Sequence, residues 1–125
     1  MENKHKILIV DDDMDVLTSM IILLRNNGYQ VEGTLNGEET IVRTGRFRPD
    51  LIIMDVLLSD LNGKDICKKL KEDNETKSIP VILISANEQL EKAIKDCGAN
   101  SFINKPFKIP YLLHEVEDYL QQKLN

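Results

Sequence analysis

Apolar positions follow two rhythms along this chain. Ile7-Leu8-Ile9-Val10, Leu51-Ile52-Ile53-Met54 and Val81-Ile82-Leu83-Ile84 are unbroken apolar runs rich in β-branched residues, which is how strands covered on both faces read. Shorter, more polar runs at 30–34 and 101–104 fit strands nearer a sheet edge. Between them the spacing lengthens to that of helices over 14–27, about 36–45, about 63–72, about 88–97 and about 109–123. Leu90, Ala93, Ile94 and Cys97 keep one buried stripe, and Ile109, Leu112, Leu113, Val116 and Leu120 keep another. Gly28, Gly45 and Gly98 stand where three of these helices should stop. Strict alternation of strand and helix with right-handed crossovers predicts an α/β fold, a parallel five-stranded sheet with helices on both faces.

Composition narrows the class of protein. A chain of 125 residues with 42% hydrophobic content fits one domain with one core, and no repeat, linker or low-complexity tract divides it. No run reaches the roughly 18 apolar residues of a spanning helix, and the first strand begins almost at once, so membrane insertion is excluded and a cytoplasmic location expected. A net charge of −5, with no basic cluster interleaved with aromatics, argues against direct nucleic-acid binding. Cys67 and Cys97 lack CxxC spacing or a neighbouring histidine and read as buried thiols.

The acids are unevenly placed, with Asp11, Asp12, Asp13 and Asp15 directly after the first strand. In an open parallel sheet, ligands bind beyond the carboxyl ends of the strands. There the first strand presents Asp11, Asp12 and Asp13, the third Asp55, the fourth Ser85 and the fifth Lys105. Crowded carboxylates repel, and a hard divalent cation such as magnesium relieves that repulsion. A metal with an ammonium opposite neutralises the oxygens of a phosphoryl group, and one carboxylate is then placed to act as nucleophile. Taken singly, Asp13 and Asp15 fit helix caps equally well, and Ser85 or Lys105 alone would be ordinary structural or surface residues.

Four segments, Ile7 to Asp13, Pro49 to Asp55, Pro80 to Ala86 and Asn104-Lys105-Pro106-Phe107, closely resemble the signature blocks of response-regulator receiver domains in order and spacing. The resemblance covers essentially the whole chain and implies a single receiver domain over 1–125, a phosphoacceptor signalling domain and not an enzyme acting on other substrates. It implies a (βα)5 flavodoxin-like doubly wound sheet of strand order 2-1-3-4-5. Asp55 resembles the phosphoacceptor. Asp12 resembles a direct ligand of Mg2+ or Mn2+, with Asp11 assisting through water and Leu57 adding its backbone carbonyl. Ser85 and Lys105 stand where the family contacts the phosphoryl oxygens, Ala86 where a small residue leaves access, and the Lys105-Pro106 bond where a cis bond is usual.

The resemblance also implies partners: a sensor histidine kinase or histidine phosphotransfer protein as donor, and a homodimer or output partner on the face of the fourth helix, fifth strand and fifth helix. Helix one carries more apolar surface than one stripe buries, so Val16 and Leu17, with Pro106 and Phe107, are expected to dock the donor. Phe102 resembles the family's rotating aromatic, which would follow Ser85 when the latter moves toward a phosphoryl group. Two departures stand out. Ser59 replaces the proline usual after the phosphoacceptor, which predicts a more mobile loop, and Lys108 replaces a common helix-capping residue.

Other readings share parts of this pattern. A receiver-shaped interaction module that is never phosphorylated would keep the fold. A haloacid-dehalogenase-type phosphatase would use Asp11-x-Asp13 with Ser85 and Lys105, but it leaves Asp55 without a role and lacks the later strand-end acids. An EF-hand fails because Val16 and Ile22 occupy the places of its glycine and glutamate. A flavin carrier of this fold would want phosphate loops and flanking aromatics, which are scarce here.

Overall fold

The computed structural model describes residues 5–86 and 96–124, the last three through their backbone only. Five strands, β1 (Lys6–Val10), β2 (Gln30–Thr34), β3 (Leu51–Asp55), β4 (Val81–Ser85) and β5 (Ser101–Asn104), form one parallel sheet in the order β2-β1-β3-β4-β5. Helices α1 (Met14–Asn26), α2 (Thr40–Phe47) and α3 (Gly63–Glu72) and a last helix, Ile109–Leu124, connect or flank them. Apart from a helical turn at Asp96 and Cys97, the predicted helix over 88–97 lies outside the described residues.

The unbroken apolar runs have a direct cause. Successive strand side chains point to opposite faces, and here each face meets a core. Ile7, Ile9, Leu51, Ile53, Ile82 and Ile84 pack with Leu17, Met20 and Leu24 of α1 and Leu112, Val116 and Leu120 of the last helix. Leu8, Val10, Ile52, Met54, Val81 and Leu83 pack with Ile66, Cys67 and Leu70 of α3. Every residue of β3 and β4 is buried. Centrality in the sheet therefore places Asp55 at the end of a strand enclosed on both faces.

Helix ends agree with the sequence in most places. Gly28 and Gly98 adopt left-handed conformations, with φ of 95° and 86°, as helix-terminating glycines do. Gly45 does not end α2. The helix runs through it to Phe47, and Arg48 takes the left-handed cap at φ 53°. Pro49 explains the stop, because the residue before a proline is driven out of the right-handed helical region. Asn62 caps α3 by accepting from the Lys64 N–H at 2.8 Å. Lacking a capping side chain at Lys108, the last helix starts on that residue's carbonyl, which accepts from Tyr111 and Leu112 at 3.1 and 3.2 Å. Among the described residues, no helix is long and apolar enough to cross a membrane.

Both cysteines are buried, as expected. The Cys67 thiol donates to the Cys97 carbonyl at 3.6 Å, and burial, helped by the neighbouring Cys97, pushes its pKa up to about 12. A thiol held protonated this firmly is a small apolar residue in effect.

Candidate functional site

The turn after β1 divides its three acids between two tasks. Asp13 caps α1: its Oδ1 accepts from the N–H groups of Asp15 and Val16 at 2.9 and 3.3 Å. The Asp13 N–H in turn donates to Asp11 Oδ1 at 2.9 Å, fixing the carboxylate of a residue only 2% exposed. Asp12, half-buried, accepts a 2.5 Å hydrogen bond from the Ser59 hydroxyl.

Asp55 ends β3 with both oxygens engaged. Oδ1 accepts from the Leu57 N–H at 3.0 Å, and Oδ2 accepts from Lys105 Nζ at 2.8 Å. Lys105 follows β5, and its backbone N–H donates to the Ser85 carbonyl at 2.9 Å, anchoring it beside the end of β4. The Lys105-Pro106 bond is cis. Nζ also reaches Asp11 Oδ2 at 3.3 Å, so one ammonium bridges two carboxylates from neighbouring strands. Ligand oxygens of Asp11, Asp12 and Asp55 lie within 4.8 Å of one another. Such a set of hard oxygen donors suits a magnesium-sized cation.

Electrostatics follow from this crowding. Burial pushes the Asp11 carboxyl above its ordinary range; the Asp13 N–H and Lys105 pull it back without cancelling the effect, and the Asp55 charge adds to the push. Burial alone would lower Lys105, but the hydrogen bond and charge of Asp55, together with Asp11, outweigh it and hold the ammonium above its ordinary range. The site thus sets a firmly protonated ammonium against the raised Asp11 carboxyl and beside Asp55.

Of the other expected residues, Ser85 is buried at the end of β4, paired in register with Asn104, and exposed Ala86 follows it. Leu57 is 58% exposed, and its backbone N–H is turned to Asp55. Phe102 is half-buried against the core on the α3 face. Val16, Pro106 and Phe107 line one groove of about 560 Å³, together with Met20, Ala86 and Lys105. Leu17 is a correction: it is 6% exposed and packs into the core, where a Cβ built on Gly33 would lie 2.7 Å from its Cδ1, so it cannot serve a docking surface.

Two contacts escaped the sequence reading. Ser59 reaches Asp12, and Asp60 clasps the segment before α2, its oxygens accepting from the Gly37 and Glu38 N–H groups at 3.0 Å each. With the isolated bridge between Leu57 and Asn62, these bonds tie down a loop expected to be mobile. The missing proline at 59 was the only signal available.

Comparison with known proteins agrees with this geometry. The sequence matches the response regulator receiver domain family over residues 7–117. It is 33% identical over 116 residues to the polar-differentiation response regulator DivK of Brucella anthropi, covering 91% of this chain and 94% of that protein. It is 32% identical over 119 residues to the DNA-binding dual master transcriptional regulator RpaA of Synechocystis sp., covering 94% of this chain and 49% of that protein. The chain therefore spans about half the length of several curated relatives that it matches. Among solved structures, the receiver domain of a sensor histidine kinase from Pseudomonas aeruginosa superimposes with a TM-score of 0.87 at 26% identity, covering 95% of this chain and 99% of that one; a magnesium ion is coordinated in its active site cleft. The chain belongs to the response regulator receiver domain family, the signalling domains of two-component systems.

Proposed function

We propose that Asp55 accepts a phosphoryl group from a histidine kinase or histidine phosphotransfer protein, and that the resulting acyl phosphate is the signal this chain carries. The observation that supports this most is the Lys105 ammonium, 2.8 Å from Asp55 Oδ2 and 3.3 Å from Asp11 Oδ2. An ammonium held over a buried carboxylate marks where phosphoryl oxygens would find positive charge.

In the reaction, an Asp55 oxygen attacks the phosphorus of a phosphoimidazole. The O–P bond forms as the P–N bond breaks, and the electron pair leaves with the imidazole nitrogen, which takes up a proton. The Leu57 N–H holds the carboxylate against rotation, Lys105 moves from carboxylate to phosphoryl oxygens, and the Ser85 hydroxyl, at the buried end of β4, would add a donor. Asp11, Asp12, Asp55 and the Leu57 carbonyl would hold magnesium or manganese, which would supply the remaining positive charge. Attack of water at phosphorus later returns the Asp55 carboxylate and inorganic phosphate, so the chain assists its own dephosphorylation.

Magnesium titration by calorimetry tests the ligand set. Asp12→Ala should weaken binding at least tenfold and slow phosphoryl uptake from phosphoramidate in parallel. Equal affinity in the two proteins would rule out Asp12 as a ligand.

The donor's histidine-bearing helices would seat in the groove of Val16, Met20, Pro106 and Phe107, which is apolar and opens onto Ala86 and Lys105. Val16→Glu is expected to slow phosphotransfer from a donor protein about tenfold, a loss of roughly 1.4 kcal/mol, while uptake from phosphoramidate is unchanged. Equal slowing with both donors would place the effect in the site and not in the groove.

A further inference from the structure

Each carboxylate of the acid cluster is oriented by donors. Asp11 has the Asp13 N–H and Lys105; Asp55 has the Leu57 N–H and Lys105. Among the described residues, Asp12 is held by Ser59 alone, through the 2.5 Å bond from its hydroxyl to Oδ2. A hydroxyl bonded to an ionised carboxylate at this length is a charge-assisted bond, roughly twice as strong as a neutral one. It leaves Asp12 Oδ1 and a lone pair of Oδ2 for a cation.

Ser59 is exposed, yet its loop is not loose. On one side the backbone is pinned by the Leu57–Asn62 bridge, and on the other Asp60 is clamped to the Gly37 and Glu38 N–H groups. The hydroxyl is therefore presented to Asp12 by a frame anchored to two other segments of the chain, and little freedom is lost when the bond forms. A proline at this position would have no such donor to offer.

We infer that Ser59 is a positioning residue for the metal site: its hydroxyl holds the Asp12 carboxylate in the rotamer that binds magnesium, and so raises the affinity of the resting protein for the ion. Groups that hydrogen-bond a ligating carboxylate from outside typically change metal affinity by about 10- to 100-fold when removed, and the exposure of Ser59 points to the low end. This rests on the reading of Asp12 as a ligand, and the test separates the two.

The experiment is calorimetric titration of magnesium into wild type, Ser59→Ala, Ser59→Thr and Asp12→Ala, with melting of each protein in chelator as the check on folding. Expected are a Kd about tenfold weaker for Ser59→Ala, affinity near wild type for Ser59→Thr, which keeps the hydroxyl, and a single cooperative melting transition in chelator for every variant. If Asp12→Ala weakens binding but Ser59→Ala binds as well as wild type or more tightly, the positioning role is wrong and the ligand assignment stands. If Ser59→Thr is as weak as Ser59→Ala, the hydroxyl is not the cause and the inference fails. If Asp12→Ala binds like wild type, both fail.

Discussion

An Asp55→Asn protein is expected to take up no phosphoryl group when incubated with phosphoramidate and magnesium, whereas wild type gains one. The substitution keeps the shape of the side chain and an oxygen that can accept from Leu57 or Lys105, but an amide is not a nucleophile at neutral pH. Neither neighbouring acid is placed to substitute. Asp11 is 2% exposed and held on both oxygens, by the Asp13 N–H and by Lys105. Asp12 is turned to Ser59. Folding should survive, since the exchange also removes a charge that pushes the Asp11 carboxyl upward. Intact-mass spectrometry reads the result directly, and an unchanged gain of one phosphoryl group in the variant would contradict the assignment.

Gly63→Ala should be among the most destabilising single methyl additions in this chain. Gly63 opens α3 directly beneath the phosphoacceptor, and its N–H donates to the Val56 carbonyl at 2.7 Å. A Cβ there would press into the Asp55 carbonyl oxygen, with Val56 Cα 3.0 Å away. These are backbone atoms of a fully buried strand and the residue after it, so neither can swing aside as a flexible side chain would. Overpacking of this kind costs about 1–3 kcal/mol, and for a domain of this size each kcal/mol lowers the melting temperature by roughly 3–5 °C, so a drop on the order of 10 °C is expected. Gly45, whose added Cβ would meet nothing within 4 Å, is the matched control inside α2. Equal melting of the Gly63 and Gly45 alanine variants would show that the start of α3 can shift away from β3.

Much of this architecture is legible in the sequence because burial on both faces leaves a plain trace. Three strands without polar alternation must lie inside a parallel sheet, and their ends mark Asp11, Asp12, Asp55 and Ser85, while the more polar run at 101–104 marks Lys105. Lys105 and Asp55 are 50 residues apart in the chain and 2.8 Å apart in space, and strand topology alone explains how they meet. What stayed hidden is of two kinds. On α1, a helix apolar over most of its circumference, periodicity does not say which residues face in; the structure turns Leu17, Met20 and Leu24 inward and leaves Ile22 55% exposed. In the loop after Asp55 there is no periodicity at all, and the bonds of Ser59 to Asp12 and of Asp60 to Gly37 and Glu38 join positions 47, 23 and 22 residues apart. The end of α2 failed for a simpler reason: a glycine inside a helix and a glycine ending one look alike, and the deciding residue was Pro49.

The central claim is that the phosphoryl group goes to Asp55 and to no other acid, and it can be read on the unmodified sequence. Wild-type protein is phosphorylated with phosphoramidate and magnesium, reduced with borohydride, which converts an aspartyl phosphate to homoserine with release of phosphate, and then digested and sequenced by mass spectrometry. Homoserine at position 55 alone is the predicted result; homoserine at position 11 or 12, or none anywhere after confirmed uptake, would contradict it.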